Sequence, residues 1–240
     1  MDRKDDTKQA AVITGASSGI GLAISKKLSE MGYEVYGIGR DFDRQPFWQE
    51  NGTHPVVCDL LDTGKLCTCI SRIRAQSCIQ VLVNNAGVGY YGLHEELNPE
   101  KIQELVRTNL EVPMILAQQL LRELKKNAGY IINIASVTAY QSNPHGCAYG
   151  ATKAGLASFS ASLFDEARKY GVKVVSVSPD MTKTKLYRNA DFREGEEEDS
   201  YLLPEEVADA VGFILSQREG MVISELSLKP QRHRIRRIQA

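Results

Sequence analysis

Long apolar runs are missing from this chain. None approaches the ~20 residues that cross a bilayer, and the polar, charged opening holds no short hydrophobic segment of a secretory leader. A soluble, cytoplasmic protein with no membrane partner is therefore expected. An excess of one charge is missing too: 29 Lys+Arg face 30 Asp+Glu, a formal net charge of −1, which argues against a nucleic-acid footprint. The basic residues are nonetheless uneven, with Arg232, Arg234, Arg236 and Arg237 crowded near the end. Cysteine is sparse and unpatterned. Cys58, Cys67, Cys69, Cys78 and Cys147 make an odd number with no Cys-x-x-Cys pair and no histidine at ligand spacing, so neither a disulfide framework nor a metal site is expected.

What is present fits one domain spanning 1–240. Its 42% hydrophobic and 25% charged residues can bury a continuous core. Residues 10–14, Ala-Ala-Val-Ile-Thr, read as a strand that runs into Gly15-Ala-Ser17-Ser18-Gly19-Ile20-Gly21 and then a helical pattern through Leu22, Ala23, Leu28 and Met31. In such a strand–turn–helix, glycines let the backbone approach a pyrophosphate, which rests on free N–H groups at the helix start. A second strand, 34–38, ends at Gly39-Arg40-Asp41, where dinucleotide folds meet the adenosine ribose. Gly39 has no carboxylate to repel a phosphate and Arg40 offers a fork of donors, which favours NADP(H). Asp41 is the rival. A strand ending one residue later makes it a ribose acceptor and NAD(H) the cofactor.

The alternation continues through a strand at 54–58, then Asp59-Leu60, where the carboxylate either catches an adenine amine or charges the start of the next helix, a helix to about 75, and a strand at 79–83 ending in Asn84-Asn85-Ala86-Gly87. Those amides can tie neighbouring strand ends. The spacing predicts one long helix over 98–126, interrupted chemically by Asn109 among apolar neighbours and by Pro113, a pattern that points to a satisfied core amide or a kink. A strand at 130–135 delivers Ser136, and a helix over 148–170 carries Tyr149 and Lys153 four apart on one face. A free phenol, of pKa about 10, is a poor base at neutral pH, and a neighbouring ammonium is expected to lower that value. With Ser136 holding a C–O oxygen, Tyr149 can exchange its proton. Six β-α repeats and a seventh strand, joined by right-handed crossovers, predict an α/β, Rossmann-like, doubly wound parallel sheet with helices on both faces and the site at the strands' carboxyl ends.

Thr14-Gly15-x-x-x-Gly19-x-Gly21, Asn84-Asn85-Ala86-Gly87, Asn109, Ser136 and Tyr149-x-x-x-Lys153, in that order, make the chain resemble the short-chain dehydrogenase/reductase family over nearly its whole length. The resemblance implies a catalytic tetrad of Asn109, Ser136, Tyr149 and Lys153. In it Asn109 kinks its helix to hold a proton-relaying water and Lys153 also binds the nicotinamide ribose. It further implies cofactor contacts from Gly15, Ser17, Ser18, Gly19, Ile20, Gly21, Arg40, Asp59, Leu60, Asn85, Ala86, Gly87, Thr182 and Thr184. A homodimer or homotetramer through the two long helices is also implied. One departure stands out: Asp180 follows Pro179 where the family usually has glycine, so either that backbone suits a residue with a Cβ, aspartate tolerating positive φ, or Asp180 contacts substrate.

The implied reaction is NADP(H)-dependent interconversion of a secondary alcohol and a carbonyl. Ser136, Tyr149, Thr138, His145 and Tyr187 are the substrate-side candidates, and a hydroxysteroid, a hydroxy acid or a small ketone or aldehyde are the candidate substrates. Residues 185–203, with the acidic run Glu194–Asp199, are expected to form a lid. The basic tail 231–240 either folds over a neighbouring subunit or stays loose. A non-catalytic NADP-sensing module on the same fold is the alternative.

Overall fold

The computed structural model describes residues 9–237; the start of the span 1–240 and the last three residues of the tail lie outside the described residues. Strands β1 (Gln9–Thr14), β2 (Glu34–Gly39), β3 (Thr53–Val57), β4 (Cys78–Asn84), β5 (Tyr130–Ile134) and β6 (Lys173–Pro179) enter one sheet in turn. Strand β7 (Phe192–Glu194) leaves it and β8 (Glu225–Leu228) rejoins it. The seven strands lie in the order β3-β2-β1-β4-β5-β6-β8, every pair parallel. The strand order reverses at β1 and β4, the position where such sheets open a ligand crevice.

Alternating side chains of each strand serve opposite faces of the sheet. Ala11, Ile13, Val81 and Val83 pack with Ile24 and Leu28 of α1 (Gly19–Glu30) and with Val207 and Val211 near the chain's end. Ala10, Val12, Ile79 and Leu82 pack on the other face, against Leu66 and Ile70 of α2 (Thr63–Gln76). Both faces are covered, which is why the central strands read as nearly unbroken apolar runs.

The expected six β-α repeats fail at one place. Between β2 and β3 there is no helix, only a 3₁₀ turn over Pro46–Gln49. The reason is a tertiary contact: the Trp48 indole, 5% exposed, lies so close over Gly37 that a Cβ there would sit 2.0 Å from the ring. Phe42 and Phe47 meet that indole edge-on, each with centroids 5.0 Å away. This aromatic plug covers the part of the sheet that a crossover helix would otherwise bury.

The predicted helix over 98–126 is three pieces: α3 (Pro99–Val106), a π-helical turn at Arg107–Glu111, and α4 (Val112–Asn127). Pro113 has no N–H for the carbonyl four residues back, that of Asn109, so the backbone widens there rather than running straight through. Helix α5 (Cys147–Ala167) packs beside α4, with a 3₁₀ turn completing the predicted stretch to Tyr170, and α6 (Pro204–Leu215) carries Val207 and Val211. Under the sheet, Asn84 of β4 donates to Asn133 Oδ1 of β5 at 2.8 Å, and Asn133 donates to Ser160 of α5 at 2.8 Å.

The tail folds back on its own chain, where the sequence left it over a neighbour or loose. Strand β9 (Ile235–Arg237) pairs antiparallel with β7. The basic tail thus meets the acidic run of the same molecule.

Candidate active site

The carboxyl ends of β1, β4, β5 and β6 surround a cleft of about 250 Å³. Its floor is the glycine turn. Gly15 has φ +65, and a Cβ on it would sit 2.9 Å from Ala86 Cα; Gly19 has φ +56 and faces Thr184, 3.3 Å from its would-be Cβ. Helix α1 begins there with Ser18 as N-cap making no side-chain capping bond and no acid in the first turn, so the first-turn N–H groups remain available to an anion. Gly21 lies deeper. A Cβ on it would meet Gly15 O at 2.3 Å and Asn85 Nδ2 at 2.4 Å, so its role is to let α1 press onto the β1 turn, and it does not line the cleft.

Thr14 Oγ1 accepts from the backbone N–H of Asn85 at 3.1 Å and of Ala86 at 3.0 Å, and Asn85 Nδ2 donates to Thr14 O at 2.9 Å. The amides after β4 do tie neighbouring strand ends, fixing the wall formed by Asn85, Ala86 and Gly87. At the outer end, β2 finishes at Gly39 and Arg40 lines the cleft. Asp41 turns elsewhere: its Oδ1 accepts from Asp43 N at 3.0 Å, an Asx-type turn, and it is not part of the cleft wall. Asp59, Leu60, Thr182 and Thr184 line the cleft as well.

Tyr149, Lys153 and Ser136 come together at the inner end. Lys153 Nζ donates to Ile134 O, the last residue of β5, at 2.8 Å. It lies 5.8 Å from the Tyr149 ring centroid. Both side chains are buried, Tyr149 at 5% and Lys153 at 4% exposure. Ser136 is positioned from behind, accepting from Thr138 N–H at 3.2 Å and from the Thr138 hydroxyl at 3.0 Å. Asn109, fully buried in the π-turn, accepts from Val88 N at 2.9 Å and donates to Val88 O at 3.0 Å and to Thr152 Oγ1 at 3.2 Å. Gly87 lies between Asn109 and Lys153: a Cβ on it would be 3.5 Å from Asn109 Oδ1 and 3.6 Å from Lys153 Nζ.

The electrostatics differ from the sequence expectation. Burial pushes the Tyr149 phenol up to about 12, and the hydrogen bond from Ser136, which acts the other way, is outweighed. Burial likewise pulls the Lys153 ammonium down to about 8. In the polypeptide alone desolvation wins over any help the ammonium gives the phenolate. Tyr149 is a protonated phenol at neutral pH.

Of the substrate-side candidates, Ser136, Tyr149 and Tyr187 line the cleft. Thr138 does not; its hydroxyl is spent on Ser136. His145 is exposed, at φ +61, with its carbonyl accepting from Gly92 N at 2.8 Å, and it does not line the cleft either. Asp180 is not a positive-φ residue, so aspartate's tolerance of that region is unused; its side chain is 14% exposed and lines the cleft. The sequence places Tyr91 among the aromatics near the substrate but does not show that Tyr91 and Phe192 meet, and neither lines the cleft itself. Tyr91 stacks within 5.6 Å of Tyr149, 5.9 Å of Tyr187 and 5.1 Å of Phe192, an aromatic wall whose members are far apart in the chain. Glu104 was also missed, and it accepts from the Tyr90 hydroxyl at 2.5 Å beside the cleft.

Residues 9–195 match the short chain dehydrogenase family. An uncharacterized oxidoreductase of Staphylococcus epidermidis is 32% identical over 228 residues, 93% of this chain and 97% of that one. A 3-oxoacyl-(acyl-carrier-protein) reductase of Buchnera aphidicola is 32% identical over 226 residues, 90% of this chain and 93% of that one. Among solved structures, an alcohol dehydrogenase from the archaeon Thermococcus sibiricus complexed with 5-hydroxy-NADP matches with a TM-score of 0.84 at 26% identity, over 95% of this chain and 98% of that one. With a seven-stranded parallel sheet, a glycine turn under its crevice and a buried tyrosine–lysine pair, this chain is an oxidoreductase that belongs to the short-chain dehydrogenase family.

Proposed function

We propose that the protein is an NADP(H)-dependent reductase and dehydrogenase that interconverts a carbonyl and a secondary alcohol. The observation that carries this reading is the convergence of Tyr149, Ser136 and Lys153 at one end of a glycine-floored cleft whose other end holds Arg40. The cleft suits a dinucleotide: Gly15 and Gly19 leave the room a Cβ would fill, and the uncapped start of α1 supplies donors for a pyrophosphate. Arg40, for which the described residues show no ion pair, suits a ribose phosphate, and the NADP-type ligand named for the archaeal alcohol dehydrogenase agrees with that choice. Asp59 and Leu60 would flank the adenine, and Thr182 and Thr184 the nicotinamide amide. When bound, the nicotinamide supplies or takes up the hydride at the reacting carbon.

The chain's own residues handle the oxygen and its proton. Ser136, held by Thr138, orients the substrate oxygen, and Tyr149 donates its proton to it. A phenol with a pKa of about 12 is fully protonated at neutral pH, the state that carbonyl reduction consumes. Lys153, fixed on Ile134 O, keeps a positive charge near the oxygen as phenolate develops and holds the cofactor ribose. Asn109 fixes the Val88 backbone beside Gly87, whose missing side chain keeps Asn109 and Lys153 close, and a proton would reach Lys153 from that side.

Tyr187 on the cleft wall, backed by Tyr91 and Phe192, favours a substrate with an apolar body, such as a hydroxysteroid or a long-chain ketone, over a small hydroxy acid. A homodimer or homotetramer through α4 and α5 accompanies this reading, supported by Met114 of α4, 38% exposed. A sensing module would have no use for a buried ammonium held well below its usual range, a costly feature typical of catalytic sites. The test is NADPH oxidation followed by absorbance with panels of ketones, 3-oxoacyl thioesters and aldehydes. Tyr149→Phe should abolish turnover and leave NADPH binding within about twofold. Equal loss of both, or wild-type turnover without Tyr149, overturns the assignment.

A further inference from the structure

The acidic stretch Glu194–Asp199 carries Glu194, Glu196, Glu197, Glu198 and Asp199 with no cation inside it, so alone it repels itself. The tail presents the opposite charge at strand spacing. Arg232, Arg234 and Arg236 alternate, which places them on one side of an extended segment. Arg232 Nε lies 3.2 Å from Asp199 Oδ2, Arg234 Nη1 2.8 Å from Glu197 Oε2, and Arg236 Nη1 3.1 Å from Glu196 Oε1. Backbone bonds accompany them: Gly195 N donates to Arg234 O at 3.1 Å, and Arg232 N donates to Asp199 O at 2.9 Å. His233 Nδ1 lies 3.6 Å from Oδ2 of Asp180, which lines the cleft.

The gripped residues follow closely on a segment that lines the cleft, Lys185–Arg188. Tyr187 and Phe192 lie 5.5 Å apart and both stack on Tyr91, which stacks on Tyr149. Arg193 ties them together, its guanidinium donating to the carbonyls of Tyr187 and, at 3.0 Å, Ala190. We propose that Arg232, Arg234 and Arg236 are positioning residues: they form a charge-matched clasp that sets residues 185–203, the lid of the reading above, against Tyr149 and the substrate. The proposal rests on that reading for what the lid covers. The clasp itself is tested without it.

Each pair is exposed and singly weak, but three acting with a strand pairing should shift the open–closed balance of the lid by about tenfold. The experiment is amide hydrogen exchange, resolved by peptide, on the full chain and on the triple variant Arg232→Gln/Arg234→Gln/Arg236→Gln. Exchange over 185–203 should quicken about tenfold in the variant while β1, β4 and β5 keep their rates. Raising NaCl from about 0.05 to 0.5 M should loosen the same peptides in the wild type and have no further effect in the variant. Equal lid exchange in the two proteins overturns the proposal. Should the variant lose protection everywhere, the wild-type salt series decides, since lid peptides indifferent to salt overturn it and lid-only loosening supports it. NADPH fluorescence on the same samples keeps the two readings apart: failure to bind NADPH refutes the cofactor assignment and leaves the exchange result standing. With a turned-over carbonyl in hand, the clasp predicts a raised KM in the variant at nearly unchanged kcat.

Discussion

Lys153→Met removes a buried ammonium while keeping most of its volume, and its effect on stability has a sign set by the site. The ammonium is 4% exposed, and burial pulls it from the usual 10.5 down to about 8. That drop corresponds to about 3 kcal/mol of native-state destabilisation at neutral pH, an upper figure. Against it stands the bond from Nζ to Ile134 O, whose loss leaves a buried carbonyl unpaired at a cost of about 1–3 kcal/mol. The variant should therefore be as stable as the wild type or up to about 2 kcal/mol more stable at pH 7. The pH dependence is the sharper test. Because the native pKa lies below the unfolded one, the unfolded chain holds more protons between pH 8 and 10.5, and wild-type stability gains relative to the variant across that window. Urea unfolding of both proteins at fixed concentration, at pH 7, 8, 9 and 10, measures it. Their difference should be constant up to about pH 8 and then move toward the wild type by about 1.4 kcal/mol per pH unit at most. A difference that stays flat from pH 7 to 10 would refute the buried, titrating ammonium. Turnover should be lost at every pH, so stability and activity move in opposite directions.

Arg40→Gln should weaken NADPH at least about tenfold while changing NADH little, read by fluorescence titration of each; equal weakening would remove the phosphate-binding role. Gly37→Ala should destabilise by about 1–3 kcal/mol or more, since the new Cβ would sit 2.0 Å from the Trp48 ring; an unchanged denaturant midpoint would mean the plug moves freely. Initial rates in both directions should diverge with pH. With the phenol held up to about 12, reduction should be nearly level from pH 6 to 8, whereas alcohol oxidation, which needs phenolate, should rise with pH over the same range.

The parts of the fold legible in the sequence were those that a local pattern encodes. The glycine turn, the apolar strands and the tyrosine and lysine one helical turn apart announce themselves within a few residues. Asn109 was legible as a mismatch between polarity and surroundings, and the π-turn with Pro113 is its structural expression. What was hidden depends on contacts between distant segments. Trp48 replaces a helix only because Gly37, back in β2, leaves room for an indole, and nothing beside Trp48 announces that. The tail's partner lies some 35 residues upstream, and charge complementarity between two runs does not say which molecule supplies the second. The phenol's pKa was read with the wrong sign in the isolated chain because spacing shows the ammonium but not the depth of burial, and burial is the larger effect.

The buried line from Asn84 through Asn133 to Ser160 also acts as a gauge of register. Asn84 and Asn133 are opposite one another across β4 and β5, so a slip of one residue would put the two amides on opposite faces and break the bond between them. Ser160 extends the check to α5, the helix that carries Tyr149 and Lys153, while Asn84 is the residue just before the Asn85–Gly87 wall. One short chain of hydrogen bonds thus links the cleft wall to the helix that carries Tyr149 and Lys153. Trading Asn133 for a leucine of similar size would test whether that link, more than the global stability, is what the amides secure.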